Sequence, residues 1–349
     1  MKCHFCRSIK RFYKNYAPTQ LWRWLLSFFQ KQQPTEKPTA QPTAQPTAQP
    51  TAQPTAQPTA QPTAQPTAQP TAQPTAQPTA QPTAQPTAQQ SSLIQVLTQN
   101  LTGRDFVIGD IHGCFTAVDH ALAAVKFNIE QDRLICVGDL LNRGAENMRA
   151  LSYLNQPWFF SVLGNHDWVH AFDQSNNFSH ARINKNDLKW ALSIRKKISY
   201  QHLSAKLRQL PLLIEIQTTE GLVGVVHGEV GGQFSDWDEA KLSLAQIDSA
   251  QSCQTHPLMI GRTRQQKNNR ATKKIDGVIM VISGHTPQKE PKWIGNSLFI
   301  DTGLVYGLKN AQRKGGLTLV DISNRYTYYF PLNQRKGIID IRAVKRSPL

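Results

Sequence analysis

The chain has 349 residues, with 39 Lys and Arg against 23 Asp and Glu, a formal net charge of +16 at pH 7. That surplus favours polyanionic partners such as phosphorylated molecules, nucleotides or anionic lipid, but no aromatic-basic RNA motif or DNA-reading pattern accompanies it, which excludes sequence-specific nucleic-acid recognition. Five cysteines, an odd number, exclude a disulfide framework, and no apolar run approaches the roughly 20 residues that a membrane-spanning helix needs.

Residues 1–37 form a first segment. Lys2, Arg7, Lys10, Arg11, Lys14, Arg23, Lys31 and Lys37 face only Glu36, a local charge of +7. Within it LWRWLLSFF at 21–29 carries Trp22, Trp24, Phe28 and Phe29 beside Arg23, too short to span a bilayer and with no clean cleavage site of a signal peptide after it. Basic residues leading into an aromatic-apolar patch suit an anionic membrane surface, so residues 1–33 are expected either to lie at such an interface or to form an exposed or protein-docking tail. The expected location is the cytoplasm, peripheral at the inner membrane face. Cys3 and Cys6 make half a zinc site at most.

From Pro38 to Gln89 the chain repeats PTAQ 13 times, without a charge or an aromatic residue. Such a stretch has too little apolar surface to offset its ordering entropy, and residues 38–90 are expected to be a disordered linker. The remaining segment, 91–349, is long enough for one α/β domain with a sizeable core.

In that domain the pattern alternates strand and helix. Strands are expected at 104–109, 133–137 and 159–163. Helices are expected at 115–125, where Val118, Leu122 and Val125 share a face, and at 146–154, where Met148, Leu151 and Leu154 do. Residues 174–210 read as helical and basic until Pro211. Strands follow at 212–217, 222–226, 277–283, 298–301, 317–321 and 326–330, with TTEG at 218–221 closing a hairpin. Residues 265–275 form a basic loop expected beside the site. Cys114 and Cys136 read as small core residues. The sum is two sheets packed face to face with helices outside.

Five clusters sit where these strands end: GDIHGC at 109–114, GDLLNRG at 138–144, GNHD at 164–167, VVHG at 225–228 and SGHTP at 283–287. Loops have no structural reason to repeat Asp, His and Asn after five apolar runs. Carboxylate, imidazole and amide oxygen are the donors that a pair of divalent ions takes, and two such ions suit in-line attack on phosphorus.

The motifs and their order resemble the calcineurin-like metallophosphoesterases, and within them the phosphoprotein phosphatase branch and the bacteriophage lambda protein phosphatase. The resemblance covers roughly residues 104–330 and extends to GAENM at 144–148, LPLLIEI at 210–216 and IDTG at 300–303. It implies the αββα sandwich of two mixed sheets. It also implies that Asp110, His112 and Asp139 hold one ion, and that Asn165, His227 and His285 hold a second, with Asp139 bridging. The ions would be manganese, with iron or zinc as alternatives, and a hydroxide held between them would attack phosphorus.

By the same resemblance, Arg143 and Arg262 would clamp the phosphate, Arg264 being a nearby substitute for Arg262, and His166 would protonate the leaving oxygen. Asp167 would be structural or support the ligands, and His170 a packed or surface residue. One position departs from the pattern: Asn142 stands where phosphoprotein phosphatases have Asp. Asn retains a hydrogen-bonding oxygen but no charge, so His166 should be less readily protonated here.

The implied function is a two-metal phosphomonoester hydrolase, of serine/threonine protein phosphatase type, acting on a phosphoprotein or a phosphorylated small molecule. A symmetrical diadenosine tetraphosphatase is the alternative, since those enzymes share the loops and also lack the Asp at the equivalent of Asn142. A domain that binds without turnover is a third.

Overall fold

In the computed structural model, the described residues are 93–172, 184–231, 233–234, 236–265, 274–309, 315–333, 338–339 and 344–349. The expectations for the basic segment and the repeat, for 174–183, and for most of the basic loop at 265–275 lie outside them.

Thirteen strands are present among these residues, in two mixed sheets. One sheet runs through β1 (Ile94–Leu97), β5 (Leu213–Thr218), β6 (Gly221–Val226), β7 (Met280–Ser283), β9 (Ser297–Phe299) and β8 (Lys292–Ile294). The other runs through β12 (Ile338–Ile339), β11 (Tyr326–Asn333), β10 (Gly316–Asp321), β2 (Asp105–Ile108), β3 (Arg133–Cys136) and β4 (Phe159–Ser161), with β13 (Lys345–Pro348) also on β11. β2, β3 and β4 are parallel, as are β6, β7 and β9.

Strand alternation builds the core. Val223 and Val225 of β6 point inward, where they join Val107, Ile135, Ile214, Ile216, Ile282, Leu298 and Val320 from both sheets. Each such fully buried Val, Leu or Ile contributes about 1.5–3 kcal/mol over its exposed state. The opposite face of β6 carries Gly224, against which the ring of Trp237 lies with no room for a Cβ, and Trp237 Nε1 donates to Glu215 Oε1 at 2.8 Å.

The helices cover the outer faces. They are α1 (Phe115–Ala124), α2 (Arg149–Leu154), α3 (Asn165–Phe172), α4 (Lys185–Ile194), α5 (Ile198–Leu207), α6 (Trp237–Ser243), α7 (Ala250–Thr255), α8 (Pro257–Ile260) and α9 (Leu304–Lys309). Between α1, α2 and the second sheet lies an aromatic cluster of Phe106, Phe115, Phe127, Tyr153, Trp158 and Phe159.

The helix expected from 146 begins only at Arg149. Glu146 is diverted: its carboxylate accepts from the backbone N–H and the hydroxyl of Thr116. Among the described residues, 184–210 of the basic stretch before Pro211 hold two helices, interrupted where Lys197 takes an extended conformation before α5.

Candidate functional site

Six parallel strands deliver the motif residues from their carboxyl ends. β2, β3 and β4 lead to Asp110 and His112, to Asp139, and to Asn165 and His166; β6 and β7 lead to His227 and His285; β9 leads to Asp301. Carboxyl ends of parallel strands are where open α/β sheets place ligands. Here two sheets aim such ends at one place.

The loops are held in costly conformations. Seven non-glycine residues among those described have positive φ, and His112, Asp139, Asn142, Arg143 and His285 are five of them. Each costs of order 1–3 kcal/mol and persists only where the surroundings enforce it. Asp167 does much of the enforcing: its fully buried carboxylate accepts from Leu140 N, Leu141 N and Gly164 N at 3.1, 3.1 and 3.3 Å, tying the second motif to the third. A Cβ at Gly164 would collide with the backbone and carboxylate of Asp139, so only glycine allows that approach.

The donor atoms of Asp110, His112 and Asp139 lie within 4.8 Å of one another, and so do those of Asp139, His227 and His285. Asp139 belongs to both groups. Asn165 Oδ1 is 3.1 Å from His227 Nε2, which places it beside the second group. His112 Nδ1 donates to Leu141 O at 3.0 Å and His227 Nδ1 to Val137 O at 2.7 Å. With those protons committed, both rings turn an unprotonated Nε2 toward Asp139, at 3.5 and 3.3 Å, the tautomer a metal ligand needs. These two carbonyls fix the orientation of the rings.

The electrostatics fit cations. Burial, then the charges of Asp301 and Asp139, push the Asp110 carboxyl well above its usual range. Burial also acts to raise Asp139, but the positive charge that His227, His166 and His112 carry when protonated, together with the Arg143 guanidinium, outweighs it and holds that carboxyl well below. Burial pushes His285 down to about 2. Crowded buried carboxylates beside neutral imidazoles form a donor set that divalent ions satisfy.

Asp301, pushed up to about 6 chiefly by burial, is a third carboxylate in this cluster. It was missed because IDTG was read for its resemblance rather than for its chemistry.

Arg143 extends across the donor groups, with Nη1 at 2.6 Å from His112 Nε2 and Nη2 at 2.8 Å from His166 Nε2. Its backbone N–H donates to Asp187 Oδ1, and its guanidinium lies 5.1 Å from the centre of the Tyr306 ring. Arg262 is exposed on the same side, donating to Thr286 Oγ1 at 3.2 Å. Arg264 is buried and donates to Ile294 O, away from the donor groups, so Arg262 is the arginine of that loop that faces them.

His166 is buried and lowered to about 4, chiefly by burial. The Asn142 contact differs from expectation. The amide nitrogen, not the oxygen, faces His166 Nδ1 at 3.1 Å, because the oxygen is taken by His170 Nε2 at 2.8 Å. His170 is packed inside, as expected of a residue that is not a ligand.

The calcineurin-like phosphoesterase family model matches residues 106–289, more than half of the chain and all five motifs. A PT disordered repeat model matches residues 32–66 and 57–92. Serine/threonine-protein phosphatase 2 of Salmonella typhimurium is 30% identical over 57% of this chain and 86% of its own length. Serine/threonine-protein phosphatase 1 of the same organism is 29% identical over 62% and 91%. The symmetrical bis(5'-nucleosyl)-tetraphosphatase of Hamiltonella defensa is 32% identical over 50% of this chain and 61% of its own length. With the motifs, the two-sheet architecture and a match of this extent in agreement, the chain belongs to the calcineurin-like phosphoesterase family and is a metal-dependent phosphoric ester hydrolase.

Proposed function

We propose that the chain is a two-metal phosphomonoester hydrolase of serine/threonine protein phosphatase type. The observation that carries the reading is the sharing of Asp139 between two three-donor groups. Asp110, His112 and Asp139 would hold one divalent ion and Asp139, Asn165, His227 and His285 the other, manganese by preference. When bound, such ions supply an activated water and neutralise phosphate charge.

The residues of the chain do the rest. Arg143 binds a phosphate oxygen pair through its planar fork, and Arg262 adds a second cation at the open side. His166 stands beside Arg143 with Nε2 directed at the same space, in reach of a leaving oxygen. The protein phosphatase relatives are matched over nearly their whole lengths, which favours a phosphoprotein substrate.

A second reading, hydrolysis of dinucleoside polyphosphates, is favoured by the neutral Asn142 and by the tetraphosphatase relative. A phosphoanhydride leaves without needing a strong acid, so a site without the Asp suits it. The full-length chain, assayed with manganese, should show a kcat/KM for a phosphothreonine peptide above that for diadenosine tetraphosphate by about tenfold or more, which is about 1.4 kcal/mol of transition-state preference. The reverse ratio would transfer the assignment to the second reading.

Residues 1–33 would hold the enzyme at an anionic membrane surface. No helix among the described residues is long and apolar enough to cross a membrane, and this segment lies outside them. Its seven basic residues are each worth about 1 kcal/mol near anionic lipid. Co-sedimentation with phosphatidylserine vesicles should exceed that with phosphatidylcholine and weaken with salt; indifference to lipid charge would refute the interfacial role.

A further inference from the structure

Behind His166, three buried side chains form a single file. Tyr200 Oη is 2.8 Å from His170 Nδ1, His170 Nε2 is 2.8 Å from Asn142 Oδ1, and Asn142 Nδ2 is 3.1 Å from His166 Nδ1. They come from α5, α3 and the loop after β3, and all are buried, Asn142 completely. Asn142 sits at φ 72°, so its backbone is held in a disfavoured region to bring this amide between the two rings.

The direction of the chain follows from its surroundings. Amide orientation has to be judged from partners, and Asn142 Nδ2 is also 3.4 Å from the carbonyl oxygen of His166. A carbonyl oxygen only accepts, so the nitrogen belongs on that side; an amide oxygen there would set lone pair against lone pair. Asn142 Oδ1 then accepts from His170 Nε2–H. Burial lowers His170 to about 3, so its ring carries one proton, and the Tyr200 hydroxyl donates to its Nδ1.

Asn142 Nδ2–H therefore donates to His166 Nδ1, which leaves the His166 proton on Nε2, the nitrogen facing Arg143 and the donor groups. Arg143 Nη2 competes for that Nε2, and a ring with one proton cannot accept at both nitrogens. The amide is enclosed and held at both ends, whereas Arg143 is a long, half-buried side chain, so the arginine contact is the one that yields.

We propose that His170, steered by Tyr200 and acting through Asn142, is a positioning residue that fixes His166 in the Nε2–H tautomer, aimed as a hydrogen-bond donor at the leaving oxygen. This rests on the hydrolase reading above for where substrate lies. The family's Asp would accept a proton's hydrogen bond from His166; here the amide donates one, and the second histidine supplies its direction.

Long-range proton–nitrogen NMR on the full-length, zinc-loaded protein reads the tautomer directly. His166 is expected with a protonated Nε2 and a bare Nδ1; a proton on Nδ1, alone or with Nε2, overturns the proposal. In kinetics, His170→Phe should lower kcat on a phosphoserine peptide by about 10–100-fold, the usual cost of losing an orienting partner. It should lower kcat less on p-nitrophenyl phosphate and leave KM unchanged. His170→Gln retains a donor and should restore most of the loss.

Equal losses on both substrates, or no rescue by Gln, would reduce His170 to packing. Should the Phe variant fail to fold, Tyr200→Phe makes the same comparison by removing the directing hydroxyl. A wild-type protein inactive on every phosphate ester would refute the hydrolase reading while leaving the NMR result to stand or fall alone.

Discussion

Asp139→Asn is expected to abolish turnover on every substrate, by about 10³-fold or more, and to lower the bound metal from two equivalents toward none. Asp139 is 2% exposed and faces His112 on one side and His227 on the other, so a single carboxylate serves both donor groups. An amide has the same shape but no charge, and its nitrogen would present hydrogens to rings that need to keep their lone pairs for metal. The fold should survive, because the motif loops are still tied by Asp167 to Leu140, Leu141 and Gly164. Metal content by elemental analysis, beside a circular dichroism spectrum, separates these effects. Full metal occupancy in the folded variant would remove Asp139 from its shared position.

His166→Ala is expected to leave metal content unchanged and to slow alkyl phosphates by about 10²–10³-fold, the usual cost of removing one donor from developing negative charge. Occupancy should hold because the link from residue 166 to Asp139 is a backbone one, from its N–H to Oδ1 at 2.9 Å, and alanine keeps it. A phosphoserine leaves as a basic alkoxide and depends on a donor at its oxygen, whereas p-nitrophenolate is stable without one, so its rate should fall by less than about tenfold. Equal losses on the two substrates would place His166 on the phosphate rather than on the leaving oxygen.

Much of this site was legible because parallel strands read as short apolar runs and their loops carry function. Asp110, His112, Asp139, Asn165, His227 and His285 each follow such a run, and the structure brings all six together. The elements left unread are those whose partners are remote. β1 is four residues long and is stabilised by parallel pairing with Leu213–Ile216, across the chain. The short helices α6 to α8 owe their burial to one face of one sheet, where Trp237, Cys253, Leu258 and Met259 pack, and β8 is an exposed edge strand held by antiparallel pairing with β9. No local period announces such elements.

Residue types and spacing alone determined the donor chemistry, the two-sheet alternation, the uncharged PTAQ tract and the Asn at position 142. Tertiary structure alone decided which nitrogen each histidine offers, since Leu141 O and Val137 O take the Nδ1 protons of His112 and His227. It also decided that Arg264 turns inward while Arg262 faces the site, and that Asp301 joins the carboxylates. It decided, finally, that Asn142 meets His166 with its nitrogen, because His170 lies on the other side of the amide. The reason is common to all four: hydrogen-bond direction and side-chain aim are set by neighbours tens of residues away, and a sequence records which groups exist but not which of them meet.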